Sequence, residues 1–192
     1  MTLEEPPTAE TVVVETATDT ALAGEIADVA AVTFPLACPA HSTPENIAAH
    51  IATVLSAEAF AGWIAHERHD VIVARDGEQG PIVGYALVVH GAPTAPDVRL
   101  LLAGDDVSEV SKMYVLPAYH AAHRAERPSH RLMAAALESA RERGSSTVWL
   151  GVHQDNVRAQ TFYRKTGFTQ IGTKTFDMNG VIEHDHVMAR RV

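Results

Sequence analysis

Tyr163 follows a strand-like run and lies within a helix-like run of the sequence. Ala159, Phe162 and Tyr163 are spaced as i, i+3 and i+4, which places them together on one side of that helix, the side that turns inward. A tyrosine on an inward face beside a strand end has two possible roles. It is either an aromatic residue packed on the sheet or an acid whose hydroxyl group opens into a cleft.

Histidine and cysteine are the other residues with potential chemistry. Of the eleven histidines, His184 and His186 alternate on a terminal strand, while His120 and His123 lie in a loop. No cysteine or carboxylate accompanies them at ligand spacing, so we expect no metal site. Cys38 is the single cysteine and has no recognisable base nearby, so we interpret it as structural. One cysteine excludes an internal disulfide and fits a reducing cytoplasm, which is the expected location.

The composition restricts the possible partners. The formal net charge of −9 argues against nucleic acid, which usually needs a basic surface. The same charge either attracts a cationic amine over long range or simply keeps the protein soluble. Glu183 and Asp185 are candidates to receive such an amine. No apolar run approaches the roughly 20 residues that a bilayer requires, and the acidic start of the chain is unlike a signal peptide.

Tyr163 depends on a strand and a helix for its position. Val148 to Val152 is rich in large and β-branched side chains, as an interior strand requires. Asp155 or Asn156 then offers a side-chain oxygen to the start of the helix. Gly167 stands where the chain leaves the helix, a position that favours the left-handed conformation of glycine.

The rest of the chain predicts one α/β domain over 11–192, after a flexible tail at 1–10. We expect a capping box at Ser42 and Glu45 and a further cap at Ser56. The segment 90–106 is expected to be a loop, and a short packed interruption that begins at Leu100 is left open. The predicted strands are 11–16, 70–76, 82–89, 107–115, 147–152, 168–176 and 181–189. The predicted helices cover 18–34, two short segments after Ser42 and Ser56, 132–143, and the segment after Asn156.

The pattern Asn-x-Arg-Ala-x-x-Phe-Tyr-x-x-x-Gly-Phe at 156–168 resembles a motif of the GNAT superfamily, the acyl-CoA-dependent N-acyltransferases. The segment 109–119 is similar to that superfamily's central strand and the turn after it. The strand at 148–152, Gly172 to Phe176, and Asp185 to Met188 look most like PaiA-type small-polyamine acetyltransferases. The resemblance implies a GNAT fold: a mixed, mostly antiparallel sheet of about six to seven strands with helices on both faces.

The resemblance also implies roles for individual residues. Acetyl-CoA is the expected co-substrate, and a small primary amine, polyamine-like or other, is the expected acceptor. Tyr163 is the implied acid, and Glu109 is the implied base unless it is a solvated strand end. Main-chain N–H groups of the central strand would polarise the thioester carbonyl. The implied cofactor-binding residues of the strand and the last helix are Met113, Tyr114, Val115, Asn156, Arg158, Ala159 and Phe162.

The loop expected to bind the pyrophosphate departs from the family pattern Gln/Arg-x-x-Gly-x-Gly/Ala. His120 stands at the first position, His123 replaces the first glycine, and Ser129 falls at the second small position. The segment 124–127 looks inserted. The guanidinium groups of Arg124 and Arg127 would add charge-assisted hydrogen-bond donors. The implied cofactor-binding residues here are His120, Ala121, His123, Arg124, Arg127, Ser129, His130 and Arg131.

Two other functions remain open from the sequence. One is a non-catalytic acyl-CoA or ligand-binding module that keeps the fold but has a degraded pyrophosphate loop. The other is an N-acetyltransferase that acts on a protein amino group. A homodimer is also compatible with the sequence, because the predicted C-terminal hairpin leaves an edge strand exposed.

Overall fold

The computed structural model describes residues 11–102, 104–120, 127–178 and 180–192, apart from the side chains of Phe176 and Met178. The strands are β1 Val12–Thr16, β2 His69–Asp76, β3 Ile82–His90, β4 Val107–Val115, β5 Thr147–His153, β6 Thr169–Met178 and β7 Val181–Arg191. The α-helices are α1 Ala23–Thr33, α2 Pro44–Val54, α3 Ala57–Ile64, α4 Pro96–Leu101, α5 Pro128–Glu142 and α6 Val157–Lys165. Short 3-10 turns cover Thr20–Leu22, Phe34–Leu36 and Pro117–Tyr119.

All seven strands belong to one sheet, in the order β1-β2-β3-β4-β5-β7-β6. β4 and β5 run parallel to each other, while every other neighbouring pair is antiparallel. Helices pack on both faces of this sheet. The expected fold class, a mixed and mostly antiparallel sheet of six to seven strands between helices, is therefore confirmed.

One face of the sheet is covered by α5, and we call it the α5 face. The helix presents an apolar stripe that includes Leu132, Met133 and Ala136, because these residues recur at the spacing of one helix side. They pack on strand residues such as Val88 and Leu150. Side chains alternate along a strand, so the neighbours of these strand residues project to the opposite side.

The opposite face, which we call the α1 face, carries two separate apolar layers. Ile26 of α1 and Phe60 of α3 cover β2 and β3. Val98 of α4 covers Trp149 on β5 and Val187 on β7. Because the two layers are separate clusters, the strip of sheet between them can carry polar side chains. That strip lies over β4 and over the place where β4 and its neighbour β5 begin to separate.

Two local expectations were wrong. The N-cap of α2 is Thr43, whose Oγ1 accepts the N–H of Asn46 at 3.2 Å, and not Ser42. Pro44 explains the shift, since proline is favoured at the first helical position and the residue before it becomes the cap. The segment 90–106 also contains α4, which begins at Pro96 and buries Val98. The expected cap at Ser56 is confirmed by its 3.2 Å bond from the N–H of Ala59.

Pro44–Ile64 is a segment that passes a length and composition test for crossing a membrane, with a mean hydropathy of 1.4. This finding qualifies the expectation that no apolar run approaches that length. The test is weak evidence, because core helices pass it as well. In the fold the segment divides into α2 and α3, and Leu55 and Phe60 are buried in the core.

A polar network joins the ends of β2, β3 and β4 to α5. Asp70 Oδ2 accepts hydrogen bonds from Ser139 Oγ at 2.7 Å and from His90 Nε2 at 3.0 Å. His90 Nδ1 lies 2.8 Å from Ser108 Oγ, which is fully buried. Arg143 donates to Asp70 Oδ1 at 3.0 Å. Because the histidine bonds the carboxylate through Nε2–H, Nδ1 is free to accept from the serine.

Asp70 is the centre of this network. Burial opposes its ionisation, but the hydrogen bonds from Ser139 and His90 outweigh that effect, so the pKa of Asp70 lies below its usual range. A lowered folded-state pKa stabilises the protein above the unfolded value of about 3.9. This stabilisation is lost as the pH falls through the folded-state pKa.

We therefore expect Asp70→Asn to lower the free energy of unfolding by about 1–3 kcal/mol at pH 7, because several donors lose a charged acceptor. Urea unfolding measures the change. The matched control is Asp105→Asn, since Asp105 pairs with Arg99 at the surface, with side chains 71% and 60% exposed. The control should change stability by less than about 0.5 kcal/mol. Equal effects of the two substitutions would contradict the stabilising role of ionised Asp70. So would a loss of unfolding free energy in Asp70→Asn that does not shrink below about pH 4.

Candidate active site

The two parallel strands at the centre of the sheet separate after three residue pairs. Val107, Ser108 and Glu109 of β4 pair with Thr147, Val148 and Trp149 of β5. β4 then continues to Val115 and β5 to His153 without further pairing between them. The outer part of β4 therefore borders a cleft, and its main-chain groups on that side are not used by a neighbouring strand.

Main-chain groups of β4 are directed alternately toward β3 and toward the cleft. The N–H of Leu116 donates to the carbonyl of Val83 on β3 at 2.8 Å. Antiparallel strands alternate bonded and non-bonded positions, so the N–H of Tyr114 also faces β3. The N–H groups of Met113 and Val115 consequently face the cleft.

A β-bulge at Ser111 decides which side chains of β4 share a face. Leu87 of β3 pairs with Lys112, whereas the next residue, Val88, pairs with Val110, so Ser111 has no partner. One extra residue shifts the alternation of a strand by one position. Glu109, Lys112 and Tyr114 therefore all lie on the α1 face. They oppose Val89, Leu87 and Tyr85, respectively.

Strands on the other side of the cleft bring further charges to the same face. Lys174 of β6 pairs in register with Asp185 of β7, and their side chains form an ion pair at 3.3 Å. The pair crosses over Gly151, where an added Cβ would lie only 2.4 Å from Cε of Lys174. A side chain at position 151 would thus displace the pair. We call the whole set of residues the polar groove: Glu109, Lys112, Tyr114, Lys174, Glu183 and Asp185.

Tyr163 reaches the cleft from the opposite side. It lies on α6, packs against the core of the α5 face, and has Phe168 6.0 Å away between ring centroids. Burial raises the pKa of Tyr163 to about 12. Burial, followed by the nearby Tyr163, also raises the pKa of Tyr114. The two tyrosines thus interact although they come from opposite faces of the sheet, and Tyr163 remains protonated at neutral pH.

Glu109 and Lys112 perturb each other within the polar groove. Burial raises the pKa of Glu109, while the charges of Lys174 and Lys112 oppose that rise. Burial lowers the pKa of Lys112, and its Nζ lies 4.7 Å from the ring centroid of Trp63. Glu109 was predicted from the sequence as a site residue, whereas Lys112 was not. The available signal was a lysine in the middle of a strand whose neighbours are mostly apolar.

Glu183 is held between two histidines from distant parts of the chain. Its side chain is 6% exposed and accepts from His41 Nε2 at 2.8 Å and from His153 Nε2 at 3.1 Å. The N–H of Asp155 donates to Nδ1 of His153 at 3.2 Å, so this ring carries its proton on Nε2. Burial opposes ionisation of Glu183, but the two histidine hydrogen bonds outweigh it and lower its pKa. Glu183 was predicted from the sequence as a site residue, but its partners His41 and His153 were not.

Cys38 lies on the same side as Glu183. It is half-buried, and its thiol donates to the carbonyl of Phe34 at 3.4 Å. Burial, followed by the charge of Glu183, raises the pKa of the Cys38 thiol to about 11. A protonated thiol is a poor nucleophile, which agrees with the structural interpretation of this residue.

Several basic side chains gather at the mouth of the cleft. His120 Nε2 lies 2.7 Å from the carbonyl of Val115, and the charge of Arg158 on α6 contributes to keeping the pKa of His120 low, after the larger effect of burial. Arg127 is the N-cap residue of α5, and His130 in its first turn meets the ring of Phe162 edge-on at 5.2 Å. The first turn of α5 therefore contacts α6. Ala121, His123 and Arg124 lie outside the described residues.

The remaining predicted cofactor residues lie in the first turns of the same two helices. Asn156 is the N-cap of α6, and its Oδ1 accepts the N–H of Ala159 at 3.0 Å. Pro128 occupies the first position of α5 and is buried, while Ser129 and Arg131 beside it are half-buried. Two helix starts and a cluster of basic groups form an environment that favours an anion. Within the part of the chain that is described, no three His, Cys, Asp or Glu side chains converge as metal ligands.

Comparison with known proteins identifies relatives of the chain. A model described as the acetyltransferase (GNAT) family matches residues 34–168. An uncharacterized N-acetyltransferase of Mycobacterium tuberculosis (strain ATCC 25618 / H37Rv) is 41% identical over 170 residues, which are 88% of this chain and 97% of that protein. An uncharacterized N-acetyltransferase of Mycobacterium bovis gives the same values.

Solved structures share the fold at low sequence identity. The PaiA N-acetyltransferase of Thermoplasma acidophilum, solved with coenzyme A, has a TM-score of 0.69 and 16% identity over 95% of this chain and 99% of its own. An acetyltransferase structure from Salmonella typhimurium, solved with acetyl-CoA, has a TM-score of 0.65 and 16% identity over 95% and 94% of the two chains. These likenesses concern the fold.

We expect Glu183→Gln to lower the free energy of unfolding by about 1–2 kcal/mol, because an amide cannot accept hydrogen bonds from both histidines through separate oxygens. Urea unfolding measures the loss. Glu138→Gln is the control, since Glu138 forms an exposed pair with Arg141 within one helix turn. Nitrogen NMR of the unmodified protein should show His153 protonated at Nε2. Finding the proton on Nδ1 would disprove this arrangement.

Proposed function

The chain belongs to the GNAT acetyltransferase family, and from this premise we propose that it transfers an acetyl group from acetyl-CoA to a primary amine of a small molecule. The observation that carries the proposal is the separation of β4 from β5 after Glu109. It leaves the main chain of β4 unpaired on the side of the cleft that Tyr163, a partly buried residue, also reaches. A thioester-bearing arm needs main-chain partners of this kind, and acyl transfer needs a proton donor at the same place.

The cofactor would lie in the cleft with its phosphates at the two helix starts. Met113 and Val115 would supply N–H groups to the pantetheine arm and to the thioester carbonyl. The pyrophosphate would meet the basic groups around His120, Arg127 and Arg158, where helix dipoles also favour negative charge.

The reaction would proceed by direct attack of the amine on the thioester. Glu109 accepts a proton from the bound ammonium group, and its buried position raises its pKa toward the range of an effective base. The neutral amine forms a C–N bond to the acetyl carbon as the C–S bond breaks, and the nitrogen releases its second proton to solvent as the amide forms. Tyr163 donates its proton to the departing thiolate, which leaves as free coenzyme A, and solvent later reprotonates the tyrosine.

One observation supports a non-catalytic acyl-CoA-binding module as the second candidate. His120 Nε2 already bonds the carbonyl of Val115, a group on the cleft side of β4. If this bond persists, the ring competes with the pantetheine arm for that carbonyl. An enzyme acting on protein amino groups has no specific observation in its favour. The groove is lined by charged side chains from three strands, β4, β6 and β7.

Calorimetric titration should give saturable binding of acetyl-CoA in the micromolar range. Acetyl-pantetheine lacks the nucleotide and pyrophosphate, and we expect it to bind at least about tenfold more weakly because it loses charge-assisted hydrogen bonds. Equal affinities for acetyl-CoA and acetyl-pantetheine would show that the basic cluster does not bind the cofactor. No binding at millimolar acetyl-CoA would overturn the proposed cofactor, and binding without any thiol release would favour the non-catalytic module.

Tyr163→Phe should lower kcat by at least about 100-fold while changing the affinity for acetyl-CoA far less, because it removes the proton donor and keeps the ring. Tyr85→Phe is the matched control. The Tyr85 hydroxyl is buried without a hydrogen-bond partner among the described residues, so its removal should leave turnover intact. Thiol release at saturating cofactor provides the rates. Unchanged turnover in Tyr163→Phe would exclude this residue as the acid.

A further inference from the structure

The charges of the polar groove do not all pair with one another. Lys174 and Asp185 form an ion pair at 3.3 Å. Lys112 and Glu109 influence each other electrostatically, yet no carboxylate oxygen of the described residues lies within 4 Å of the Lys112 Nζ. The groove thus contains one joined pair and one separated pair of opposite charges. The separated pair lies on a single strand, beside the cleft.

The surroundings of Lys112 offer it little compensation. Its ammonium group lies over Trp63, whose own ring is fixed edge-on against Phe60 at 5.0 Å. The charge of Lys112 also contributes to lowering the pKa values of His50 and His69, after the larger effect of burial in both cases. A cation–π contact offsets part of the desolvation of a cation but does not replace a hydrogen-bonded anion.

A charge that is partly removed from water and lacks a hydrogen-bonded counter-ion is costly for the folded protein. The bulge at Ser111 is what places this lysine on the same face as Glu109. A strand with regular alternation would have directed it to the α5 face, away from the catalytic carboxylate. The position of the ammonium group in the groove therefore calls for a ligand that supplies the missing anion.

We propose that the acceptor carries a carboxylate in addition to its primary amine, and that Lys112 binds this carboxylate while Glu109 receives the ammonium group. This inference rests on the proposed acetyl transfer. It makes an amino-acid-like molecule the acceptor class. A polyamine would instead bring its second ammonium group toward Lys112 and Lys174, and Asp185 is already paired with Lys174.

The geometry favours Lys112 over Lys174 as the anion-binding group. Lys174 is held by Asp185 across Gly151, and its side chain is 18% exposed. Lys112 is half-buried and projects from the strand that carries Glu109 and borders the cleft. An acceptor bound between Glu109 and Lys112 would present its amine beside the thioester position on β4.

The first experiment compares matched acceptors with the unmodified enzyme. L-lysine is tested against cadaverine and L-leucine against isoamylamine, which differ by the carboxylate alone. The C-terminally amidated dipeptide Leu-Gly, which has no carboxylate, tests a peptide N-terminus. We expect kcat/KM to be at least about tenfold higher for the amino acids, the effect of one charge-assisted hydrogen bond. Equal or better use of the amines, or preference for the dipeptide, would overturn the proposal.

The second experiment assigns that preference to the lysine. Lys112→Met keeps an unbranched stem on Trp63 and removes the charge, whereas Lys112→Arg keeps the charge. We expect Lys112→Met to raise KM at least about tenfold more for L-leucine than for isoamylamine, and we expect Lys112→Arg to restore part of this difference. Lys165→Met, at an exposed position of α6, is the control. A similar loss with both acceptors would mean that Lys112 acts only through the ionisation of Glu109, which would overturn the proposal.

A binding measurement separates this inference from the proposed function. N-acetyl-L-leucine and N-isoamylacetamide are titrated into the protein loaded with coenzyme A, with circular dichroism to check that each variant is folded. We expect the former to bind more tightly, and this difference to disappear in Lys112→Met. Such binding without turnover of any acceptor would disprove acetyl transfer but keep the anion site. Turnover without a Lys112-dependent carboxylate preference would disprove the anion site alone.

Discussion

The separation of two parallel strands is the constraint on which the rest of the site depends. Three residue pairs join β4 to β5, and after Glu109 and Trp149 the strands diverge. A main chain without a neighbouring strand must find other hydrogen-bond partners. The unpaired stretch of β4 therefore forms a site that a linear ligand with amide groups can occupy. The first turns of α5 and α6 and the hydroxyl group of Tyr163 can act on a ligand only because this cleft is open.

A single extra residue at position 111 organises the chemistry on the other face. Because the bulge shifts the alternation of β4, Glu109, Lys112 and Tyr114 share one side of the sheet. The two apolar layers of that side leave a strip between them, so these residues meet Lys174 and Asp185 in a groove of mixed charge. If the proposed function holds, such a groove would discriminate among amines by their other charged groups.

Much of the architecture could be predicted from local patterns. The bounds of β4 were predicted correctly, and the caps at Ser56 and Asn156 follow from side chains that bond the adjacent helix start. The cap of α2 was missed because the constraint of Pro44 was not weighed against the capping-box pattern. Loop 90–106 concealed α4, since its glycines and prolines obscured a turn of helix that is stabilised by burying Val98 in tertiary contact.

By itself, the sequence determined the succession of strands and helices along the chain except for α4, the inward face of α6, and the placement of Tyr163 on it, because these depend on residues a few positions apart. The tertiary structure alone decided which charges meet. His41, His153 and Glu183 come together from three distant segments, and Lys112 joins Glu109 through a bulge that is visible only in the pairing with β3. Strand register and the contacts between layers arise when the whole sheet packs, and no local spacing encodes them.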